Sequence, residues 1–305
     1  MEKKINKIYD EDLRLFPKYE DYLLDLERLD KYDFKGCCPE EIYNIFYDLA
    51  KMLPTTYTNL RKEIFNELTF FRERLNVNKE KEDISLIQTY ANPPTVFCDE
   101  NGRANLKYKS VFYCSDKLEC SMFESKPKVG DEGFLSVWKG DAKRSLKVGV
   151  CLPNNLSEEN SWNEIGENSF LYNESTLKEE GKDKQKHILE LYKFISNKFI
   201  NEKPPYYLTS MISDVLLFSS DLWRDFIVYP SFLKKTKMSN LAFHPNSVVE
   251  NLSFNKVIRF KVTENSNQRL MFRLGQTGVL ENNKIIWKER SEEETSLFEY
   301  NLVKK

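Results

Sequence analysis

The chain has 305 residues, and its 46 Lys and Arg against 48 Asp and Glu leave a formal charge of −2. That balance excludes a protein held to nucleic acid by overall charge, because neutralising phosphates takes a basic surplus or a segregated basic face. With 21 Phe and 16 Tyr the chain has the apolar area for a core, which excludes intrinsic disorder, and its 10 glycines exclude glycine-rich and collagen-like repeats.

At about 150 residues per domain the length suggests two domains. No window approaches 18 consecutive apolar residues, so no membrane-crossing helix is expected. The charged start Met1-Glu2-Lys3-Lys4 lacks the apolar run and cleavage site of a secretory signal. The expected location is the cytoplasm, where Cys37, Cys38, Cys98, Cys114, Cys120 and Cys151 would be reduced thiols. Adjacent Cys37 and Cys38 do not make a chelating pair, and His187 and His244 are the only histidines, so no metal site is expected.

Residues 8–90 read as helical, and a helical domain over 1–90 followed by a second domain over 91–305 is the expected division. Pro39 followed by Glu40 and Glu41 is a helix start, with proline at the first position and acids in the first turn. Leu60, Ile64, Phe65, Leu68, Phe71 and Leu75 form an apolar stripe at helical spacing, which reads as core of a small bundle or as a partner-binding face. Asn78–Asp83 is a solvated turn, and Asn92-Pro93-Pro94 breaks any helix.

Short β-rich runs follow: Thr95–Cys98, Ser110–Cys114, Phe134–Trp138 and Ser145–Leu152. The polar stretch 153–181 reads as a long surface loop. Lys184–Glu202 and Tyr207–Phe218 are helical, Phe226–Tyr229 is a buried strand, and Val257–Val262, Leu270–Leu274 and Ile285–Trp287 alternate as antiparallel strands. His187 is expected to be exposed on its helix, and His244 to be a hydrogen-bonded structural residue. The Walker, dinucleotide-fold and serine-hydrolase glycine motifs are all absent.

Two places could carry chemistry. Ser115-Asp116 reads as a helix N-terminus, with Ser115 the cap and Glu124 in the last turn, where a carboxylate opposes the helix dipole. Local rule violations of this kind concentrate at functional sites. Further on, Phe226-Ile227-Val228-Tyr229 ends in Pro230, so Ser231 is presented where the chain leaves the sheet.

Arg103, Tyr113, Glu124 and Ser231, taken in that order and spacing, resemble the signature of the RES family, named for an arginine, a glutamate and a serine. The strand–helix text Val111–Ser115 to Glu124, and the blocks Tyr207–Leu217, Ile227–Ser231 and Asn240–Pro245, are similar to that family too. The resemblance spans about residues 92–255. The family commonly has Asp-Gly before the apolar strand, whereas here Asp225 is followed by Phe226.

The resemblance implies an α+β fold, an ADP-ribosyltransferase-like mixed sheet with flanking helices, preceded here by the N-terminal helical region. It implies an enzyme that consumes NAD⁺ by cleaving the bond to nicotinamide, with water or phosphate as acceptor, and that acts as a toxin held by a cognate antitoxin. Catalytic roles would fall to Arg103, Glu124 and Ser231, and NAD⁺ contacts to Arg103, Tyr113 and Ser231, with no metal, nucleic acid or membrane involved. Two other readings remain open: a protein ADP-ribosyltransferase, and a catalytically degenerate nucleotide-binding or interaction protein.

Overall fold

A computed structural model describes residues 16–53, 57–169, 182–220, 223–231, 235–266, 269–290 and 302–303. The first two helices among the described residues are α1 (Tyr19–Asp30) and α2 (Pro39–Ala50). The proline-led start of α2 holds as expected: the Cys38 backbone N–H donates to Glu41 Oε2 at 2.7 Å, satisfying a donor that a helix leaves orphaned at its first turn. The Tyr22 hydroxyl of α1 donates to the Ala50 carbonyl at 3.0 Å and so pins the two helices together.

These helices pack on two later ones, α5 (Lys182–Asn201) and α6 (Tyr207–Phe218), and on one face of a sheet. That sheet has five strands in the order β1-β5-β6-β7-β3. They are β1 (Thr58–Leu60), β3 (Phe112–Cys114), β5 (Leu146–Val150), β6 (Phe226–Ser231) and β7 (Lys235–Phe243). Only β5 and β6 run parallel, the geometry a helical crossover through α5 and α6 requires. Every residue of β6 is buried, which is why Phe226-Ile227-Val228-Tyr229 is an unbroken apolar run rather than an alternating one. Ile227 and Tyr229 face the helices, while Phe226 and Val228 face a second core.

The second sheet is antiparallel, in the order β10-β9-β8-β4-β2, with β11 (Leu302–Val303) paired to β9. Its strands are β2 (Thr69–Leu75), β4 (Glu132–Gly140), β8 (Leu252–Asn265), β9 (Arg269–Glu281) and β10 (Lys284–Lys288). Short helices α3 (Lys62–Asn66), α4 (Leu118–Glu124) and α7 (Pro245–Asn251) sit at their ends. Aromatic rings fill the space between the sheets: Phe226 stacks on Phe243 at 4.5 Å and Phe112 meets Trp138 edge-on at 5.2 Å. The class is therefore α+β, as expected.

The sheets touch along one seam. There Phe71 of β2 and Ser115, just beyond β3, exchange both backbone hydrogen bonds, at 2.7 and 3.0 Å.

Several local expectations are corrected. The stripe Leu60–Leu75 is not one helix: α3 ends at Asn66 and Thr69–Leu75 is a strand. The aromatic and β-branched run Thr69-Phe70-Phe71 pairs with β4 over seven residues, and this tertiary pairing overrides the helical spacing. β1 and β2, both before residue 90, thus belong to the two sheets. Thr95–Phe97 is a 3₁₀ turn, not a strand.

The polar stretch 153–181 is described only to residue 169, and that part reaches the core, with Trp162 packed on the Phe226 ring at 5.8 Å. His187 is buried, its Nε2 3.0 Å from the Pro17 carbonyl and its ring among Phe16, Tyr19 and Tyr22. His244 behaves as expected, accepting from the Asn246 N–H to cap α7. Ser115 is not a cap; α4 begins at Leu118, and the Ser115 hydroxyl donates to the Ser239 carbonyl.

Asp225, which precedes the Phe226 that departs from the RES pattern, is fully buried and carries a structural ion pair. Its carboxylate takes both arms of Arg144 at 2.7 and 2.8 Å and also the Lys147 N–H at 2.8 Å.

Candidate active site

At the seam between the sheets lies a cavity of about 290 Å³, lined by β2, the Gly102–Arg103 loop, β3, α4, β6, β7 and the residue preceding α6.

The loop is built around a single tyrosine. The Tyr113 hydroxyl accepts from the Ala104 N–H at 2.8 Å and donates to Asn105 Oδ1 at 2.7 Å. Gly102 and Asn105 close a tight backbone bridge. A Cβ on Gly102 would stand 2.2 Å from Asn105 Oδ1 and 2.5 Å from the Tyr113 oxygen, so only glycine fits. The Tyr113 hydroxyl is thus spent on shaping the loop, and only its ring is left to face a ligand. Burial raises its ionisation well above the ordinary tyrosine range, which keeps it a neutral donor.

This loop carries Arg103 to the cavity. Its Nη1 donates to the Phe199 carbonyl at 3.0 Å, in the last turn of α5, and its guanidinium lies over the Tyr206 ring at 5.3 Å. A cation at a helix C-terminus is held by the unpaired carbonyls there, and the aromatic face beneath fixes its plane.

Glu124 ends α4, as the sequence suggests, and lines the same cavity. The Ser231 hydroxyl, at the last position of β6, donates to Glu124 Oε1 at 2.6 Å. Ser231 itself does not line the cavity; it holds the carboxylate that does. Arg103, Tyr113 and Glu124 therefore line one cavity, and Ser231 is joined to it through Glu124, across 107 residues of sequence.

Two lining residues escaped the sequence reading, Arg72 and Glu73 of β2. Successive strand residues point to opposite faces. Glu73 shares its face with Phe71 and Leu75, which pack on the Met122 and Phe123 cluster. Both its carboxyl oxygens are buried without a hydrogen-bond partner of good geometry, and burial pushes its pKa up to about 8, with the Ser125 hydroxyl opposing the rise and the Asp131 charge adding to it. Arg72 lies on the other face, its guanidinium 5.5 Å from the Phe112 ring. Burial, with the Arg74 charge second, lowers its pKa to about 10, still cationic at neutral pH. Tyr229 and Asn240 complete the floor; Asn240 Oδ1 accepts from the Cys120 thiol, whose pKa burial pushes up to about 12.

No group of three or more His, Cys, Asp or Glu side chains able to hold a metal occurs among the described residues, and no helix there is long and apolar enough to cross a membrane. No protein-family model matches the sequence, and no curated protein matches it significantly.

Proposed function

We propose that the protein is a RES-type enzyme that consumes NAD⁺, built on an ADP-ribosyltransferase-like variant of its α+β fold. One observation carries this reading. Ser231 and Glu124, two members of an ordered four-residue signature, meet at 2.6 Å, and Glu124 shares a cavity wall with the other two, Arg103 and Tyr113.

The chemistry suits this wall. Breaking the bond from ribose C1′ to the nicotinamide nitrogen leaves an oxocarbenium-like ribosyl centre. Nicotinamide departs neutral with the bonding pair, so no strong acid is needed, consistent with a site that has no histidine in its wall. Glu124 would accept a hydrogen bond from a ribose hydroxyl and stabilise the developing positive charge, with Ser231 fixing the carboxylate's orientation. Arg103 would meet the diphosphate through its planar fork, which lysine cannot copy. The Tyr113 ring would face the nicotinamide. Water or phosphate would take the ADP-ribosyl group, so that the reaction depletes NAD⁺ in the manner of a toxin, and a protein inhibitor would then hold the enzyme silent in the cell that makes it.

The test is nicotinamide release from NAD⁺ by the purified chain. Glu124→Ala is expected to lower the rate by about 10²–10³-fold, the usual loss for one electrostatic stabiliser of a transition state. Equal release by wild type and variant, or none by the folded wild type, would refute the reading.

A further inference from the structure

We propose that Arg72 is an anion-binding residue of this cavity and that, paired with Arg103, it holds a diphosphate group. The inference rests on the NAD⁺ reading for the identity of that diphosphate, but the site itself is argued from the geometry.

The guanidinium of Arg72 is only partly used by the protein. Its Nε donates to the Ala91 carbonyl at 3.1 Å and its Nη1 to the Tyr113 carbonyl at 3.0 Å. Nη2 makes no hydrogen bond, and no carboxylate forms an ion pair with Arg72 among the described residues. A half-buried charge without a counter-charge has lost part of its hydration with nothing in the protein to replace it, an arrangement that favours an anion brought by a ligand. Here the obvious counter-charges are committed elsewhere. Glu82 pairs with Arg74, the next arginine along β2. Glu73, the neighbour in sequence, lines the same cavity from the opposite face of the strand, near Ser125, and burial keeps it protonated at neutral pH.

The cavity wall therefore presents two guanidiniums, Arg72 from β2 and Arg103 from the loop, and Glu124 is already engaged by Ser231. Two planar forks on one wall match a ligand carrying adjacent negative charges. The two carbonyl contacts orient Arg72 before any ligand arrives, and one of them runs to Tyr113, so the strand that carries the ring also aims the fork. An unpaired, half-buried cation that lines a cavity is explained if the ligand supplies the anion.

The test compares two substrates with the same scissile bond, NAD⁺ and nicotinamide riboside, the second having no phosphate. Arg72→Gln is expected to lower the preference for NAD⁺ over nicotinamide riboside, read as a ratio of kcat/KM values, by about 10–100-fold, the worth of hydrogen bonds to a charged group. Arg72→Lys, which keeps the charge without the fork, should fall between the variant and wild type. A ratio unchanged in both variants, with the two substrates slowed alike, would show that Arg72 only pins the Ala91 and Tyr113 carbonyls and would overturn the proposal while leaving the NAD⁺ reading intact.

Calorimetric titration with inorganic pyrophosphate keeps the two ideas apart. Should wild type release no nicotinamide, the NAD⁺ reading falls. Pyrophosphate binding by wild type that is lost in Arg72→Lys would then still support the anion site, and absence of binding to wild type would overturn it. Equal binding of phosphate and pyrophosphate would overturn the diphosphate assignment.

Discussion

Replacing Glu73 by glutamine should stabilise the protein near neutral pH, although it removes a side chain from the candidate site. The carboxyl is pushed up to about 8 from an ordinary 4.5 because both oxygens are buried beside the Met122–Phe123 cluster. Between those two values the folded chain holds a proton that the unfolded chain has released. Stability contributed by this group is therefore lost as pH rises through that window, and it levels off above about 8. pH 7 lies 2.5 units above the ordinary value that the unfolded carboxyl keeps (7 − 4.5), which at about 1.4 kcal/mol per unit makes the cost about 3 kcal/mol. Glutamine keeps the shape and never ionises. Urea denaturation of both proteins at pH 5, 6, 7 and 8 should show curves that diverge steadily, the glutamine variant leading by about 3 kcal/mol at pH 7. Parallel curves across this range would mean that Glu73 ionises normally in the folded protein and that its surroundings are wetter or better paired than the structure shows.

The remaining predictions concern the groups that hold the site. Ser231→Ala should lower nicotinamide release by about 10–100-fold with little change in KM for NAD⁺, because it removes one hydrogen bond that orients the Glu124 carboxylate without removing the carboxylate; a change confined to KM would count against an orienting role. Tyr113→Phe leaves the Ala104 N–H and Asn105 Oδ1 without their partner, so a loss of about 1–3 kcal/mol is expected in denaturation, and unaltered stability would show that the loop does not depend on the hydroxyl. Asp225→Asn strips the charge from the fork of Arg144. That arginine reaches solvent, so the cost should fall at the lower end for a broken buried pair, about 3 kcal/mol in the same assay, and a cost below about 1 kcal/mol would place the pair among ordinary surface contacts.

What the sequence makes legible follows from how local each feature is. β6 reads correctly because burial on both faces writes an unbroken apolar run, and α2 because its start is written in Cys38-Pro39-Glu40-Glu41. β2 does not. Its Phe71 and Leu75, with Leu60, Ile64 and Leu68 before them, fall by coincidence at helical spacing, and only the seven-residue register with β4 decides the matter. That one misreading hid Arg72 and Glu73, since a helix would have scattered them around its polar face. Trp162 was hidden differently, within a stretch whose polar composition gives no sign that one indole inserts beside Phe226. Arg103, Tyr113 and Glu124 were legible because they lie on one short strand–helix segment and its preceding loop. Local pattern suggested Ser231 as a strand-end residue but gave no hint that it would grip Glu124 from 107 residues away; only the ordered signature implied a shared site.

The opening charge balance takes on a different sense at the cavity. A chain of net charge −2 can still hold an anion if its few relevant charges are sorted locally. On this wall the sorting depends on Glu73. Were it ionised, its negative charge would oppose a phosphate held by Arg72 and Arg103 in the same cavity. Held protonated by burial, Glu73 adds no negative charge to the cavity near neutral pH. The same burial that destabilises the fold near neutral pH thus keeps the wall cationic, the local conflict expected where a chain gives up stability for a site. The coupling runs both ways: a diphosphate bound against Arg72 and Arg103 adds negative charge near Glu73 and raises its pKa further, so ligand binding reinforces the protonation state on which it depends.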